Sequence, residues 1–159
     1  MISSSTPATS AASLTVATAT HELDAHFAVR HQVFVLAQGL FHGTDRDARD
    51  DDPATLHAIA AVDDEVVGAV RLYRLSDDLW KGDRLAVLPS ARIHSLGGEL
   101  VRFAVRTASA CGGRQMVAQV QVPNVRFFER LGWVREGTPA PYVGIMHQPM
   151  AIPLRRPAP

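Results

Sequence analysis

The feature that most constrains the fold is a strand, helix, strand pattern in the second half of the chain. A short apolar run from Arg84 to Leu88 is stopped by Pro89, which fits a strand in the middle of a sheet. Two stripes then recur at helical spacing, an apolar one at Leu100, Ala104, Ala108 and Cys111 and a charged one at Glu99, Arg102 and Arg106. The alternating run from Met116 to Val122 is a second strand. This unit predicts two parallel neighbouring strands joined by a right-handed crossover.

Other segments add strands and helices around this unit. They are a strand in residues 14–19, a helix marked by Leu23, Phe27 and Phe34, a β-hairpin in residues 56–75, a short helix in residues 124–131 and two β-prone runs in residues 133–154. The order β, α, β, β, β, α, β, α, β, β predicts an α/β (α+β) fold. We expect a central mixed, twisted sheet of about six to seven strands with helices on both faces.

Composition bounds the class of protein. The chain has 159 residues, 47% hydrophobic and 20% charged, which suits one globular domain. We expect that domain in residues 14–155, between a disordered leader (1–13) and a short tail (156–159). Sixteen basic and sixteen acidic residues give no net charge, so neither nucleic acid nor a membrane is an expected partner. The sole cysteine, Cys111, indicates a reducing cytoplasm.

An acidic segment, HGTDRDARDDD, is closed by Pro53. Its charge density predicts an exposed loop leading into the next strand. Its last residues, Asp50, Asp51 and Asp52, could attract a cationic amine at the mouth of a cleft. We expect no metal there, because the spacing matches no EF-hand loop.

A candidate anion site lies between Pro89 and the following helix. Arg92 and His94 precede the tetrapeptide Ser95-Leu96-Gly97-Gly98, which opens the helix and exposes backbone N–H groups at its N-terminus. Small residues let a phosphate approach the backbone, and Arg92 can add a charge-assisted contact. A diphosphate is therefore a natural ligand. The alternative is that the glycines only allow close packing where the helix starts.

The stretch RLAVLPSARIHSLGGELVRFAV resembles the acetyl-CoA motif of the GNAT (Gcn5-related) N-acetyltransferases, with its R/Q-x-x-G-x-G/A loop. Arg92 aligns with the first position, Ser95 with the middle glycine and Gly97 with the last. FFERLGW resembles the segment that ends the last helix of the same superfamily. The resemblance covers most of residues 14–154. It implies the GNAT fold and an acyl-CoA-dependent N-acyltransferase with acetyl-CoA as donor and a small-molecule amine as acceptor.

One subgroup fits better still. The segments VRHQVFVLAQGLFHGTDRDARDDD, VVGAVRLY and YVGIMHQPM resemble GNAT domains that accompany a nitrilase in bacterial gene clusters, some of them fused to an AIR-synthase-related domain. That subgroup carries a glutamate before the glutamine of VFVLAQ, where this chain has Ala37 before Gln38. A possible acidic contributor is therefore missing.

The resemblance also assigns the residues that would hold the cofactor. The diphosphate loop comprises Arg92, Ile93, His94, Ser95, Leu96, Gly97 and Gly98. The backbone of Leu85, Ala86 and Val87 is expected to contact the CoA arm and the thioester carbonyl, where the strand leaves its neighbour. Gln121 or Asn124 would contact the arm by an amide, although Asn124 also suits a helix N-cap.

Phe127 and Phe128 are expected to pack in the core or flank the CoA arm. Phe128 stands where the superfamily often has a tyrosine that protonates the leaving thiolate. Because a thiolate is a tolerable leaving group near neutral pH, loss of that acid slows the reaction without forbidding it.

For deprotonation of the amine, His147 is the first candidate, since it lies near the chain end where related domains carry a histidine facing the substrate. His57 could share the cavity, and Tyr142 could supply the missing hydroxyl from another direction. For each there is a structural alternative: a histidine holding the final strand, a packed histidine and a surface aromatic beside Pro141.

Two further readings stay open at this stage. An acyl-homoserine-lactone synthase shares the pattern R-x-x-V-F followed by an acidic loop, but its usual N-terminal tryptophans are lacking. A non-catalytic acyl-CoA-binding module serving a partner enzyme is the reading from a different class. Pairing of two chains through exposed strands into a homodimer is also left open.

Overall fold

The structure is a computed structural model that describes residues 12–155. The expected leader lies outside this range except for Ala12 and Ser13, and the expected tail, residues 156–159, lies outside it entirely.

Eight strands and three α-helices make up the described part of the chain. The strands are β1 (Ser13–Val16), β2 (Leu56–Val62), β3 (Glu65–Arg74), β4 (Leu79–Val87), β5 (Gln115–Gln121), β6 (Val134–Arg135), β7 (Ala140–Tyr142) and β8 (Ile145–Pro153). The α-helices are α1 (Thr20–Arg30), α2 (Leu96–Ala110) and α3 (Val125–Arg130). A π-helix (His31–Ala37) extends α1, and short 3-10 turns occupy Ala48–Asp51, Pro89–His94 and Val122–Asn124.

The strands form one mixed sheet in the order β1-β2-β3-β4-β5-β8-β6, with β7 paired to β8. Only β4 and β5 are parallel among these pairs, and α2 connects them, so the predicted fold class and crossover unit are confirmed. The sheet has eight strands rather than the six to seven expected. The extra strand arises because β8 is long enough to pair with both β6 and β7, and the chain bends between them.

Both faces of the sheet are covered, because side chains alternate along the central strand β3. Val70 and Leu72 pack in the main core with residues of α2 such as Leu100. Ala69 faces the other way and packs against Val29 of α1. Helices on both faces follow, as the sequence predicted.

Strand β4 begins earlier and pairs differently than the sequence suggested. Its parallel pairing with β5 joins Leu79–Lys81 to Gln115–Val117 and then stops, so the predicted run Arg84–Leu88 itself has no partner on β5. The cause is a bulge. Arg84 adopts a left-handed backbone with φ +53°, and the register of β3 against β4 shifts between Ala69 and Arg71. A bulge bends a strand, and here a gap opens between β4 and β5.

The acidic segment is a largely exposed loop, as its charge predicted, but two of its carboxylates are buried. Asp45 is only 2% exposed. The Asp50 carboxylate is fully buried and accepts from Arg30 at 2.8 Å. Paired arginines offset the cost of burying these carboxylates. The expectation that Asp50 attracts an amine at the cleft mouth is therefore wrong, whereas Asp51 and Asp52 are exposed.

Candidate active site

A cavity of about 160 Å³ lies where β4 and β5 separate. It passes through the sheet, so its two walls differ. Polar side chains line it on the α1 side, among them Gln38, Lys81, Asp83, Arg84, Gln119, Tyr142 and His147. Apolar residues that belong to or border the main core line it on the α2 side, among them Gly82, Val101, Ala104, Met116, Ala118 and Trp133. Phe34, Leu40 and Phe41 also line the α1 side, so a ligand in this cavity would meet a mixed polar and apolar wall on one side and an apolar wall on the other.

The edge of β4 offers backbone groups to this gap. The N–H of Leu88 donates to Val67 O on β3 at 2.8 Å. Because backbone groups alternate along a strand, those of Leu85 and Val87 point to the opposite edge, where β5 has moved away. The backbone of Ala86 pairs with β3 instead. Of the three residues expected to contact the CoA arm, two are thus placed to do so through their backbone.

The turn before α2 presents a helix N-terminus. The residues from Pro89 to His94, which include Ile93, form one 3-10 turn, and α2 begins at Leu96. Leu96 is completely buried and anchors the helix in the core. A Cβ built on Gly97 would meet only the ring of Phe127, at 3.7 Å, whereas Gly98 is buried and its Cβ would also meet Arg102 Nη1 at 3.8 Å. Of the two glycines, Gly97 is therefore the more accessible to a ligand.

Ser95 occupies the position where the family loop has glycine. Its backbone is left-handed, with φ 55° and ψ 30°. Glycine adopts this conformation freely, whereas an L-residue pays for it. Ser95 therefore holds a turn conformation that glycine would adopt without strain. Arg92, three residues earlier, is exposed, and its Nε donates to Val87 O at 3.3 Å.

The two phenylalanines of α3 occupy different environments. Phe127 is partly exposed beside the start of α2. Phe128 is buried, lines the cavity and packs edge-on against Trp133, with ring centroids 5.5 Å apart. Trp133 also lines the cavity, a role that the sequence analysis missed.

Gln121 and Asn124 both line the cavity. The amide Nε2 of Gln121 donates to Gln38 Oε1 at 3.3 Å, which joins β5 to the end of the π-helix. Asn124 stands at the N-cap position of α3, but its side chain makes no capping hydrogen bond. Its amide is therefore available to a ligand.

His147 and Tyr142 come together on the polar wall. His147 is buried, its Nδ1 lies 2.7 Å from Ile145 O, and its ring packs edge-on against Tyr142 at 5.3 Å. A carbonyl oxygen only accepts, so Nδ1 carries a proton, and in the neutral ring Nε2 has the lone pair. The Tyr142 hydroxyl accepts from Arg84 Nη1 at 3.3 Å, which leaves its own proton to donate.

His57 does not line the cavity. It is buried on the α1 face, its Nε2 lies 3.0 Å from Asp50 Oδ1, and its ring packs against His26 and Phe27. The expectation that His57 shares the cavity with His147 is therefore wrong. The side chain of His57 points from β2 towards a separate ionic cluster on the α1 face.

That cluster connects the acidic segment to the cavity wall. Arg71 is buried in the middle of β3 and binds Asp83 and Asp47 at 2.7 and 2.6 Å. Arg84 donates to Asp45 O at 3.1 Å and contacts Asp47 at 3.4 Å. The sequence signal for this ionic cluster is Arg71, a lone arginine inside the apolar strand EVVGAVRLY. This signal was overlooked.

The cluster shifts the titration of its members. Burial alone would raise the pKa of Asp50, but hydrogen bonds from His57, Arg30 and the Asp47 backbone together lower that pKa far below its usual range. Burial of the His26 imidazole lowers its pKa to about 3. Burial and the Asp83 carboxylate raise the pKa of Tyr73 to about 12. Asp50 is therefore ionised and His26 is neutral at physiological pH.

A mixed sheet that opens between two parallel strands, with a helix N-terminus following the first of them, is the arrangement of a GNAT-type acyltransferase. A family model described as the acetyltransferase (GNAT) family matches residues 20–133. The chain therefore belongs to this family. No curated protein sequence matches it significantly.

Solved structures share the fold at low identity. A protein from Lactobacillus plantarum assigned as an N-acetyltransferase is 21% identical, with a TM-score of 0.83 over 91% of this chain and 99% of that one. ElaA from Escherichia coli is 19% identical, with a TM-score of 0.79 over 89% and 99%. The acyl-homoserine-lactone (AHL) synthase LasI is 16% identical, with a TM-score of 0.76 over 92% and 91%. Within residues 12–155, no helix has the length and apolar character needed to cross a bilayer.

Proposed function

We propose that the protein transfers an acetyl or other short acyl group from coenzyme A to the amine of a small molecule, by direct attack within a ternary complex. Family membership supports the general class, acyl-CoA-dependent N-acyl transfer. The observation that carries the proposal is the cavity through the sheet. Its apolar side and the N-terminus of α2 suit the pantetheine arm and diphosphate, and its other side holds His147 and Tyr142.

The diphosphate would lie at the start of α2. The N–H groups of the first turn have no intrahelical acceptor and carry the positive end of the helix dipole. Gly97 has no side chain to block the approach to its backbone, and the exposed Arg92 supplies a cation. The residues present therefore fit the phosphates of acyl-CoA, which supplies the activated acyl group when bound.

The chain's own groups have three tasks in the reaction. His147 Nε2 takes a proton from the amine, whose nitrogen forms a bond to the acyl carbon while the carbon–sulfur bond breaks. The N–H groups of Leu85 and Val87 stabilise the negative charge that develops on the thioester oxygen. Tyr142 donates a proton to the departing sulfur and takes the place of the hydroxyl absent at Phe128.

Thiol release tests this proposal. The protein should release free CoA thiol from acetyl-CoA in the presence of at least one member of a broad panel of amines. Gly97→Glu places bulk and a negative charge where the phosphates would bind, and a glutamate in the first turn of a helix does not impair folding. We expect this variant to lose CoA binding. Ala110→Glu adds the same charge at the exposed far end of α2 and serves as the matched control.

Different outcomes identify the alternative functions. Binding of acyl-CoA without thiol release across the panel would favour a non-catalytic module that serves a partner enzyme. A scaffold without cofactor would show no thermal shift, whereas a bound ligand at a hundred times its dissociation constant adds about 2.7 kcal/mol of stability. Unchanged CoA affinity in a folded Gly97→Glu variant would count against the proposed phosphate site.

The shared fold of LasI favours keeping AHL synthesis as a second candidate. Its test is whether S-adenosylmethionine acts as the amine and a lactone appears. The proposal also includes the resemblance to nitrilase-associated GNAT domains. It includes a cytoplasmic setting too, because the single cysteine, Cys111, is exposed and suits a reducing compartment.

A further inference from the structure

The cavity continues beyond the place where a thioester would lie. In the proposed function, CoA would enter from the start of α2, which follows the carboxyl end of β4, and the backbone of Leu85 would face the reacting carbon. Gly82 lies three residues back along β4, or about 10 Å at roughly 3.3 Å per residue, and it also lines the cavity. The extension therefore points away from the diphosphate, towards the apex where β4 and β5 begin to pair.

The extension is apolar and built partly from small residues. Met116 and Ala118 form its wall on β5, Val101 and Ala104 close it from α2, and Trp133 lines it from the loop after α3. All five belong to the main hydrophobic core and are buried. None of these side chains carries a charge, so a hydrocarbon chain would match the extension better than an amine or a carboxylate would.

We propose that this extension is an acyl pocket and that the preferred donor carries an acyl chain longer than acetyl. This rests on the proposed function, because it assumes that CoA occupies the gap. The whole cavity of about 160 Å³ is close to the roughly 150 Å³ that holds a benzene molecule in an apolar protein cavity. Because the thioester end would fill part of this volume, the extension suits short chains of up to about six carbons.

Binding affinities of a thioester series test the pocket without any acceptor amine. The full chain would be titrated calorimetrically with CoA and with acetyl-, butyryl-, hexanoyl- and decanoyl-CoA. Each methylene that leaves water tightens binding about four-fold, so butyryl-CoA should bind about fifteen-fold tighter than acetyl-CoA. Affinity should reach its maximum at hexanoyl and fall at decanoyl.

Two glycine variants show whether the increase in affinity with acyl chain length arises in the proposed pocket. A Cβ at Gly82 would lie 2.9 Å from the terminal methyl of Met116, so Gly82→Ala pushes that flexible side chain and narrows the apex. Gly68 on β3 is the matched control, because its Cβ would lie 2.8 Å from Leu100 Cδ1 but does not line the cavity. We expect Gly82→Ala to cut hexanoyl-CoA affinity about ten-fold with CoA affinity unchanged. Gly68→Ala should keep the full chain-length gain.

The possible outcomes distinguish a failure of the acyl-pocket proposal from a failure of the proposed function. If acetyl-CoA binds as tightly as butyryl- and hexanoyl-CoA, or if both glycine variants flatten the series equally, the acyl pocket is wrong. If neither CoA nor any thioester binds, the proposed function itself fails. The series on the unmodified chain decides the question even where a variant does not fold.

Discussion

Arg30 donates from Nη1 to Asp50 Oδ1 over 2.8 Å, and both side chains are completely buried. The contact joins the end of α1 to the acidic segment 20 residues further along the chain. Arg30 also binds Asp45 at 2.8 Å. One arginine therefore holds both ends of this segment against the sheet, next to the residues that line the cavity.

Replacing Arg30 by methionine should lower the free energy of unfolding by about 3–5 kcal/mol, because two buried carboxylates, Asp45 and Asp50, each lose their nearest arginine. Urea denaturation measures this. The exposed pair Arg114 and Asp78 provides the control, since Arg114→Met should cost less than about 0.5 kcal/mol. Adding Asp50→Asn to Arg30→Met should recover part of the loss. A loss no larger than that of Arg114→Met would show that the buried pair is not a stabilising contact.

Stability should fall as the pH drops from about 6.5, because of His26. Its imidazole is fully buried, with Nδ1 2.9 Å from Ala58 O. Burial lowers the pKa of His26 from 6.5 to about 3 in the folded protein. Between these values the unfolded chain binds a proton that the folded one does not. The part of the free energy of unfolding that depends on His26 is therefore fully present above pH 6.5. It is lost towards pH 3, at up to about 1.4 kcal/mol per pH unit.

Thermal unfolding between pH 5 and 7 tests this prediction. His26→Gln should flatten the dependence in that window, whereas replacement of the exposed His21 by glutamine should leave it unchanged. If stability depends equally steeply on pH in the unmodified protein and in His26→Gln, the prediction is contradicted. Asp50, whose folded pKa is depressed, contributes only at lower pH, since its stabilisation is present above the ordinary carboxyl pKa and is lost below it.

His147→Ala should lower kcat about 10²- to 10⁴-fold with little change in CoA affinity, as expected for the loss of a positioned base. The measurement combines steady-state kinetics with a binding titration. His147→Gln keeps a polar side chain on β8 and should be equally slow. A parallel loss of stability and turnover, or full activity in either variant, would instead make His147 a structural residue.

Tyr142→Phe should lower kcat at least about ten-fold without altering CoA binding if its hydroxyl protonates the leaving sulfur. The loss should grow as the CoA thioester is replaced by one with a poorer leaving thiol. Phe41, which packs under Arg84 at 4.6 Å, offers the control substitution Phe41→Leu on the same wall. A Tyr142→Phe variant with the same kcat as the parent would remove Tyr142 from the mechanism.

Ser95→Gly should raise the free energy of unfolding by about 0.5 kcal/mol. A left-handed serine costs roughly 1–2 kcal/mol, and glycine gives back part of that gain through the greater entropy of the unfolded chain. CoA affinity should be kept or improved. Ser90, exposed in the 3-10 turn just before, carries no positive φ, so Ser90→Gly should destabilise slightly. Destabilisation of both variants alike would contradict the strain at Ser95.

The fold could be predicted because its signals are local. Each signal depends only on residues that are close in sequence. The signals are the alternation in β2 and β3, the apolar stripe of α2 and the glycine pair that begins at Gly97. Combined with the handedness of crossovers, they lead to a parallel pair connected by a helix. The loop before α2 was recognised for the same reason.

The site was predicted only in part. His147, Tyr142, Gln121, Asn124 and Phe128 were named from the sequence and do line one cavity. His57 was placed there too, although it belongs to the ionic cluster. Trp133 and Arg84 were overlooked, because a side chain's distance from a site depends on how remote segments pack.

The sequence by itself determined the order of elements, the two-sided sheet and the helix that begins after Ser95, since periodicity and turn chemistry act over a few residues. Only the tertiary structure decided which charges are buried, where β4 leaves β5 and which side chains meet in the gap. Asp50 illustrates the reason. A carboxylate in an acidic run is expected in water, and it is buried here because Arg30, distant in sequence, reaches it in space.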